Sequence, residues 1–78
     1  MHDSVSLNAL ARGQVAEISQ IVGPPERVRR LEELGLRSGA KLEMVQAGSP
    51  CIVRVDGAKL CFRGDEVSSI LVRPRMTA

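Results

Sequence analysis

The amino-acid sequence predicts a mainly β protein, a small barrel of about five short strands with one short α-helix. Three observations support this prediction. Glycine and proline divide the 78-residue chain into short segments, most of which are apolar or alternate between apolar and polar residues, as strands do. Residues 24–34 instead show the three-residue apolar spacing of a helix. Finally, the pair Asp56-Gly57 between two apolar segments is a strong signal for a β-hairpin.

The N-terminal part predicts a tail, one helical turn and a first strand. The segment of residues 1–5 is short and polar, and we expect it to form a flexible tail. Leu7 and Leu10 have the spacing of a helical turn whose two leucines face the core. Residues 14–22 are rich in β-branched side chains, which favours a strand. This strand ends at Gly23, because the prolines that follow cannot donate to a sheet ladder.

The helix predicted next has an apolar side and a charged side. Its apolar stripe consists of Val28, Leu31 and Leu34, which we expect to pack against Leu42, Val53 and Phe62. Pro24 and Pro25 suit the start, because a proline at the first helical position loses no hydrogen bond. Gly35 suits the end, since glycine adopts the left-handed conformation without strain, and Leu36 then folds back on the stripe.

Four further strands complete the predicted domain. Residues 40–47 alternate between apolar and charged side chains. In the hairpin, a two-residue loop at Asp56-Gly57 places Val55 opposite Ala58, Val53 opposite Leu60 and Cys51 opposite Phe62, all on one face. The last strand covers residues 70–73. The folded domain therefore extends over residues 6–73, and residues 74–78 form a C-terminal tail.

The composition argues against several classes of protein. Phe62 is the only aromatic residue, so the chain lacks the stacking platform of modules that bind single-stranded nucleic acid. The net charge of +2 comes from interspersed acids and bases, which argues against a nucleic-acid partner. No apolar run approaches the roughly 20 residues that span a bilayer, and the N-terminus does not resemble a signal peptide. We therefore expect a cytoplasmic protein without membrane insertion.

Few residues suit catalysis or metal binding. The only histidine, His2, lies in the expected tail, so we predict a non-enzyme with no cofactor and no metal site. At most, His2 and Cys61 would bind a metal ion adventitiously. The hairpin register points Cys51 and Cys61 to opposite faces, which disfavours a disulfide between them. We expect Cys51 to be a small core residue and Cys61 a surface thiol.

The most notable exposed residues are the arginines on and after the predicted helix: Arg27, Arg29, Arg30 and Arg37. The simplest interpretation is helix solubility, with i,i+4 ion pairs from Glu26 to Arg30 and from Arg29 to Glu33. The functional alternative is a docking surface for an acidic partner. The sequence alone favours the simpler interpretation without excluding the docking surface.

Several motifs along residues 6–72 carry a family resemblance. They are Leu7-x-x-Leu10-x-x-Gly13, Arg30-Leu31-x-x-Leu34-Gly35-Leu36-x-x-Gly39, Val53-Arg54-Val55-x-Gly57 and Ile70-x-Val72. This pattern resembles the FeoA family, small cytoplasmic proteins of bacterial ferrous iron transport. The resemblance implies an SH3-like β-barrel with an added helix. It also implies partnership with FeoB, the membrane transporter whose cytoplasmic part carries a GTP-binding domain.

The leading hypothesis is a cytoplasmic accessory protein of ferrous iron uptake that binds the cytoplasmic region of FeoB. Its candidate contact residues are Arg27, Arg29, Arg30 and Arg37. The alternative is a metal-binding regulatory module, similar to the SH3-like domain of iron-dependent repressors, that senses iron through carboxylates or Cys61. A third possibility is weak self-association through an edge strand such as residues 40–47.

Overall fold

A computed structural model of the protein describes residues 4–75 and has one six-stranded antiparallel sheet as its main feature. In chain order the strands are β1 (Val5–Ser6), β2 (Val15–Ile21), β3 (Lys41–Gln46), β4 (Cys51–Val55), β5 (Ala58–Phe62) and β6 (Ile70–Pro74). Helix α1 (Pro25–Glu33) connects β2 to β3, the one-turn helix α2 (Asp65–Ser68) connects β5 to β6, and a 3-10 turn covers Leu7–Ala9. The mainly β prediction is confirmed, with six strands rather than about five.

The order of the strands in the sheet is β1-β6-β2-β3-β4-β5. Within residues 4–75, β1 and β5 are therefore the two edges of the sheet, and strand pairing does not close it into a complete barrel. Strand β3 lies between β2 and β4 and pairs with both. The suggestion that residues 40–47 form an edge strand is wrong, because these neighbours use both sides of the β3 backbone.

The hairpin prediction is confirmed residue by residue. Val55 lies opposite Ala58, and the register continues to Cys51 opposite Phe62. Asp56 and Gly57 have φ values of 51° and 80°, the positive values that a type I′ turn requires at both loop positions. The turn chemistry of the sequence therefore sets the pairing of β4 with β5.

The chain ends differ from the expected tail boundaries. Val5 is part of β1 and lies opposite Val72, and Pro74 is the last residue of β6. The ordered pairing thus begins one residue before the predicted domain and ends one residue after it. Of the remaining expected tail positions, residues 1–3, which include His2, and residues 76–78 lie outside the described residues.

One apolar core joins the sheet, α1 and the 3-10 turn. It contains side chains from every layer of the fold: Leu7, Leu10, Ala16, Ile18, Leu31, Leu36, Leu42, Met44, Cys51, Val53, Val55, Phe62, Val67, Ile70 and Val72. From the predicted helical stripe, Leu31 is fully buried and Val28 half-buried. Leu34, however, is 46% exposed, so its predicted burial is wrong. Leu36 occupies the core instead.

Candidate partner-binding surface

Helix α1 owes both of its ends to local sequence. Pro25 is its first residue, where the missing amide costs nothing. At the other end Gly35 has φ 101°, its N–H donates to Glu32 O at 3.0 Å, and the Leu36 N–H donates to Leu31 O at 3.0 Å. These two bonds form a Schellman motif, which turns the chain back towards the core. The helix is thereby fixed with its charged side in solvent.

Two of the four candidate arginines point towards α2 and β6. Arg27 is half-buried, and its Nη1 donates to Ser69 Oγ at 3.1 Å. The Arg30 Nη2 lies 3.6 Å from Glu66 Oε2. Both arginines line a cleft of about 510 Å³ whose other walls are Pro24, Glu26 and Glu66. These arginines therefore tie α1 to the segment around α2, although the Arg30 side chain remains 71% exposed.

The other two arginines lie on a separate part of the helix surface. Arg29 is exposed, and Arg37 is exposed with its Nε donating to Glu32 O at 3.3 Å. Together with Glu32, Glu33 and Ser38 they line a second cleft, of about 450 Å³. The structure thus divides the predicted set into two pairs rather than gathering all four side chains at one point.

The i,i+4 ion pairs expected along α1 do not form. The ion pairs found in the described part of the chain include Arg30–Glu66, Arg54–Glu43 and Arg75–Glu17, and none of these lies within α1. Arg30 forms an ion pair with Glu66 on α2 instead of with Glu26, and Arg29 forms no ion pair with Glu33. The solubility interpretation of the helix therefore loses the pairing on which it rested.

Leu34 belongs to this surface, although the sequence pattern placed it in the core. It is the C-cap of α1 and lies one helical turn after Arg30, on the same face. Because Gly35 reverses the chain, only one leucine of the Leu34-Gly35-Leu36 motif can fill the core, and Leu36 does so. Gly35 is the sequence signal that could have predicted the exposure of Leu34, because it ends the helix at the point where the apolar stripe would continue. The α1 surface, defined as Arg27, Arg29, Arg30, Leu34 and Arg37, thus combines cations with one exposed apolar side chain.

The two cysteines occupy the positions that the hairpin register predicts. Cys51 is buried and Cys61 exposed, and both thiols are free. The Cys51 Sγ lies 3.7 Å from Met44 Sδ in the core. Burial raises the pKa of the Cys51 thiol, and the nearby Cys61 thiol acts in the same direction. Because the thiolate is the nucleophilic form, Cys51 is a packing residue rather than a reactive one.

The described residues lack two features, a cluster of metal ligands and a membrane-spanning helix. Residues 4–75 contain no group of three or more histidine, cysteine, aspartate or glutamate side chains placed to hold a metal ion. No helix in the same part of the chain is long and apolar enough to cross a membrane.

The curled antiparallel sheet with its packed helix defines a small SH3-like β domain. A family model described as the FeoA domain matches residues 5–74, nearly the whole chain. The protein belongs to the FeoA family. A search of curated protein sequences found no match.

Solved structures of FeoA proteins share this fold. FeoA of Chlorobium tepidum is 34% identical, with a TM-score of 0.82 over 90% of this chain and 70% of that one. FeoA of Stenotrophomonas maltophilia, solved in complex with zinc, is 25% identical, with a TM-score of 0.77 over 87% of this chain and 88% of that one. IdeR of T. acidophilum is 22% identical, with a TM-score of 0.87 over 96% of this chain but only 36% of that one. This last likeness shows the fold alone.

Proposed function

We propose that this protein is a cytoplasmic, non-catalytic accessory protein of bacterial ferrous iron uptake that binds the cytoplasmic region of the FeoB transporter. Membership of the FeoA family supports the link to iron uptake. The Stenotrophomonas maltophilia relative is itself a candidate activating factor of ferrous iron transport. The role proposed for this chain is therefore recognition of another protein.

The observation that carries the proposal is the composition of the α1 surface. Arg29 and Arg37 are exposed, and no carboxylate among the described side chains lies within 4.0 Å of either, so an acidic partner would meet available cations. Leu34, exposed on the Arg30 face of α1, supplies an apolar contact. Arginine is enriched among the residues that dominate binding energy, and opposite charge on the partner adds association rate and specificity. Arg27 is held by Ser69 and is expected to support the surface rather than to lead the contact.

Calorimetric titration of this protein with the FeoB cytoplasmic region of its own organism tests the proposal. We expect saturable binding by the unmodified protein, and a fall in affinity of about tenfold or more for Arg29→Glu combined with Arg37→Glu. Arg29→Glu with Arg30→Glu is expected to weaken binding as well. The first double variant is the sharper test, because Arg30 already contacts Glu66 and its reversal would place two acids together.

Arg12→Glu is the matched control for this titration. Arg12 is also exposed, lies in the segment before β2, and its reversal changes the net charge in the same direction. We expect this variant to bind FeoB with nearly unchanged affinity. Arg29→Glu alone is the single reversal that matches it in charge, and equal loss from these two variants would reduce the effect to net charge and contradict the surface assignment. Repeating the titration with a non-hydrolysable GTP analogue shows whether binding depends on the nucleotide state of FeoB.

A second candidate function is metal-responsive regulation, which the zinc complex of the Stenotrophomonas maltophilia relative favours. On this proposal the protein itself binds a divalent metal, with Cys61 as one exposed donor. Anaerobic titration with Fe²⁺ distinguishes the two functions. Saturable binding at low micromolar concentration that is lost in Cys61→Ser supports the regulator, whereas absence of binding leaves the FeoB-binding role as the better account.

A further inference from the structure

Strand β5 is the longer of the two edge strands of the sheet. It has five residues, against two in β1, and it pairs with β4 on one side. No strand within residues 4–75 pairs with its other side. An edge of this kind presents unpaired N–H and C=O groups, which are a template for pairing with another strand. Because β5 is longer than β1, it offers a further strand more backbone groups for hydrogen bonding.

The hairpin register determines which backbone groups of β5 face outward. In a two-residue hairpin the residues next to the loop, Val55 and Ala58, form a hydrogen-bonded pair, and such pairs recur at alternate positions. Ala58, Leu60 and Phe62 therefore direct their N–H and C=O groups to β4. Lys59 and Cys61 direct theirs to the open edge. The available groups thus lie symmetrically about Leu60.

Opposite charges stand at the two ends of this strand. Asp56 in the hairpin loop is exposed, and so is Arg63, the residue after β5. Neither takes part in the ion pairs Arg30–Glu66, Arg54–Glu43 and Arg75–Glu17. Two β5 strands laid antiparallel would bring the acid of each copy next to the base of the other. A parallel arrangement would bring like charges together.

We propose that β5 pairs with β5 of a second copy of this chain, antiparallel and about a two-fold axis at Leu60. In this register Lys59 lies opposite Cys61 of the second copy, so each such pair exchanges both of its outward backbone hydrogen bonds. The half-buried Leu60 side chains face each other at the axis and extend the core across the interface. Gly57 then lies opposite Arg63 of the second copy, which places Asp56 beside that guanidinium.

The side chains of β5 are compatible with this pairing. Lys59 and Cys61 are exposed on the outer face, and the register puts each lysine opposite a cysteine rather than opposite the other lysine. Each copy contributes a single short strand, so the buried area is well below the roughly 1,600 Å² of a standard interface. We therefore expect a weak dimer, with a dissociation constant on the order of 0.1–1 mM.

Sedimentation velocity of the full chain, from about 20 μM to about 1 mM, tests the proposal. The average mass should rise towards that of a dimer and no further, because pairing of the two β5 strands leaves neither β5 edge free for a third copy. Lys59→Pro should abolish the rise, since proline removes an N–H that points to the open edge and leaves the bonds to β4 in place. Lys59→Ala, which retains the N–H, should still dimerise.

A second variant keeps the test decisive if Lys59→Pro fails to fold. Asp56→Asn preserves the type I′ turn, because asparagine readily adopts positive φ, but it removes the charge facing Arg63. It should weaken dimerisation several-fold at low salt, and the difference from the unmodified protein should shrink at high salt. In the unmodified protein, the amide hydrogens of Lys59 and Cys61 should exchange more slowly as concentration rises.

Four results would overturn the proposal. They are a monomer mass throughout the concentration range, assembly beyond a dimer, unchanged association in a folded Lys59→Pro variant, and amide protection that spares Lys59 and Cys61. None of these results bears on FeoB binding through the α1 surface, because β5 contributes no residue to that surface.

Discussion

Cys51 and Cys61 show how strand alternation gives the same side chain two different environments. They lie on the paired strands β4 and β5, Cys51 opposite Phe62 and Cys61 opposite Ile52. Adjacent cross-strand pairs point to opposite faces, so Cys51 enters the core and Cys61 faces solvent. The assignment of both thiols followed from the sequence, because the Asp56-Gly57 turn sets the register. The sulfur contact with Met44 did not follow, since it depends on the pairing of β3 with β4.

The raised pKa of Cys51 predicts a loss of stability at alkaline pH. Burial holds the folded-state pKa of this thiol above its ordinary value of 9.0. Its contribution to stability is therefore fully present below the unfolded-state pKa and is lost as the pH rises through the folded-state pKa. Urea denaturation at about pH 7 and about pH 10 should show a smaller fall in unfolding free energy for Cys51→Ala than for the unmodified protein.

Cys61→Ala is the control for this prediction. Its thiol is exposed and is the smaller of the two causes of the raised Cys51 pKa, so the variant should retain most of the alkaline fall of the unmodified protein. Cys51→Ala should also be less stable at neutral pH by about 1 kcal/mol, because it loses packing in the core. Only the pH dependence tests the pKa, and an identical dependence in all three proteins would contradict it.

Among the elements, α1 and the hairpin were predictable because their signals are local. Pro25 and Gly35 mark the helix ends, and Asp56-Gly57 marks the turn. Strand β1 was not predicted, because two residues are too few to show a periodicity. Their position in the sheet depends on pairing with Val72, far along the chain. The inner position of β3 was missed for the same reason, since strand order follows from long-range pairing. The contact between Arg30 and Glu66 likewise joins elements that the sequence does not place side by side.

The end of α1 predicts a measurable cost for Gly35→Ala. Gly35 has φ 101°, in the region where a Cβ strains the backbone. An added Cβ would lie 3.9 Å from Val55 Cγ1, an ordinary van der Waals contact, so the cost comes from the backbone rather than from a clash. We expect a loss of about 1–2 kcal/mol in unfolding free energy, measured by urea denaturation.

Gly35→Asn is the comparison variant for this position, because asparagine tolerates left-handed backbone better than alanine does. It should lose less stability than Gly35→Ala. If both variants matched the unmodified protein, the Schellman motif would have no measurable part in stability.

For the whole molecule, the decisive feature is that the sheet and α1 share one core. Leu31 from the helix belongs to the same cluster as Ile18, Val53 and Ile70 from the strands. A domain of this size rarely has more than about 3–5 kcal/mol of stability from its core. We therefore expect the helix and the sheet to unfold together, in one transition.

Leu31→Ala tests this coupling. Truncation of a fully buried leucine costs about 2–5 kcal/mol, which is comparable to the whole stability of a domain of this size. We expect the variant to be largely unfolded at 25 °C, with loss of both helical and strand signals in circular dichroism and collapse of the amide dispersion in NMR spectra. Val28→Ala, at a half-buried position one turn earlier, should remain folded with a smaller loss. If Leu31→Ala kept the amide dispersion of the sheet while α1 melted, the helix would be an independent addition. Mutations anywhere in α1 would then leave the sheet folded. With a shared core, by contrast, the exposed residues of the α1 surface can vary, but Leu31 on the buried side of the helix cannot.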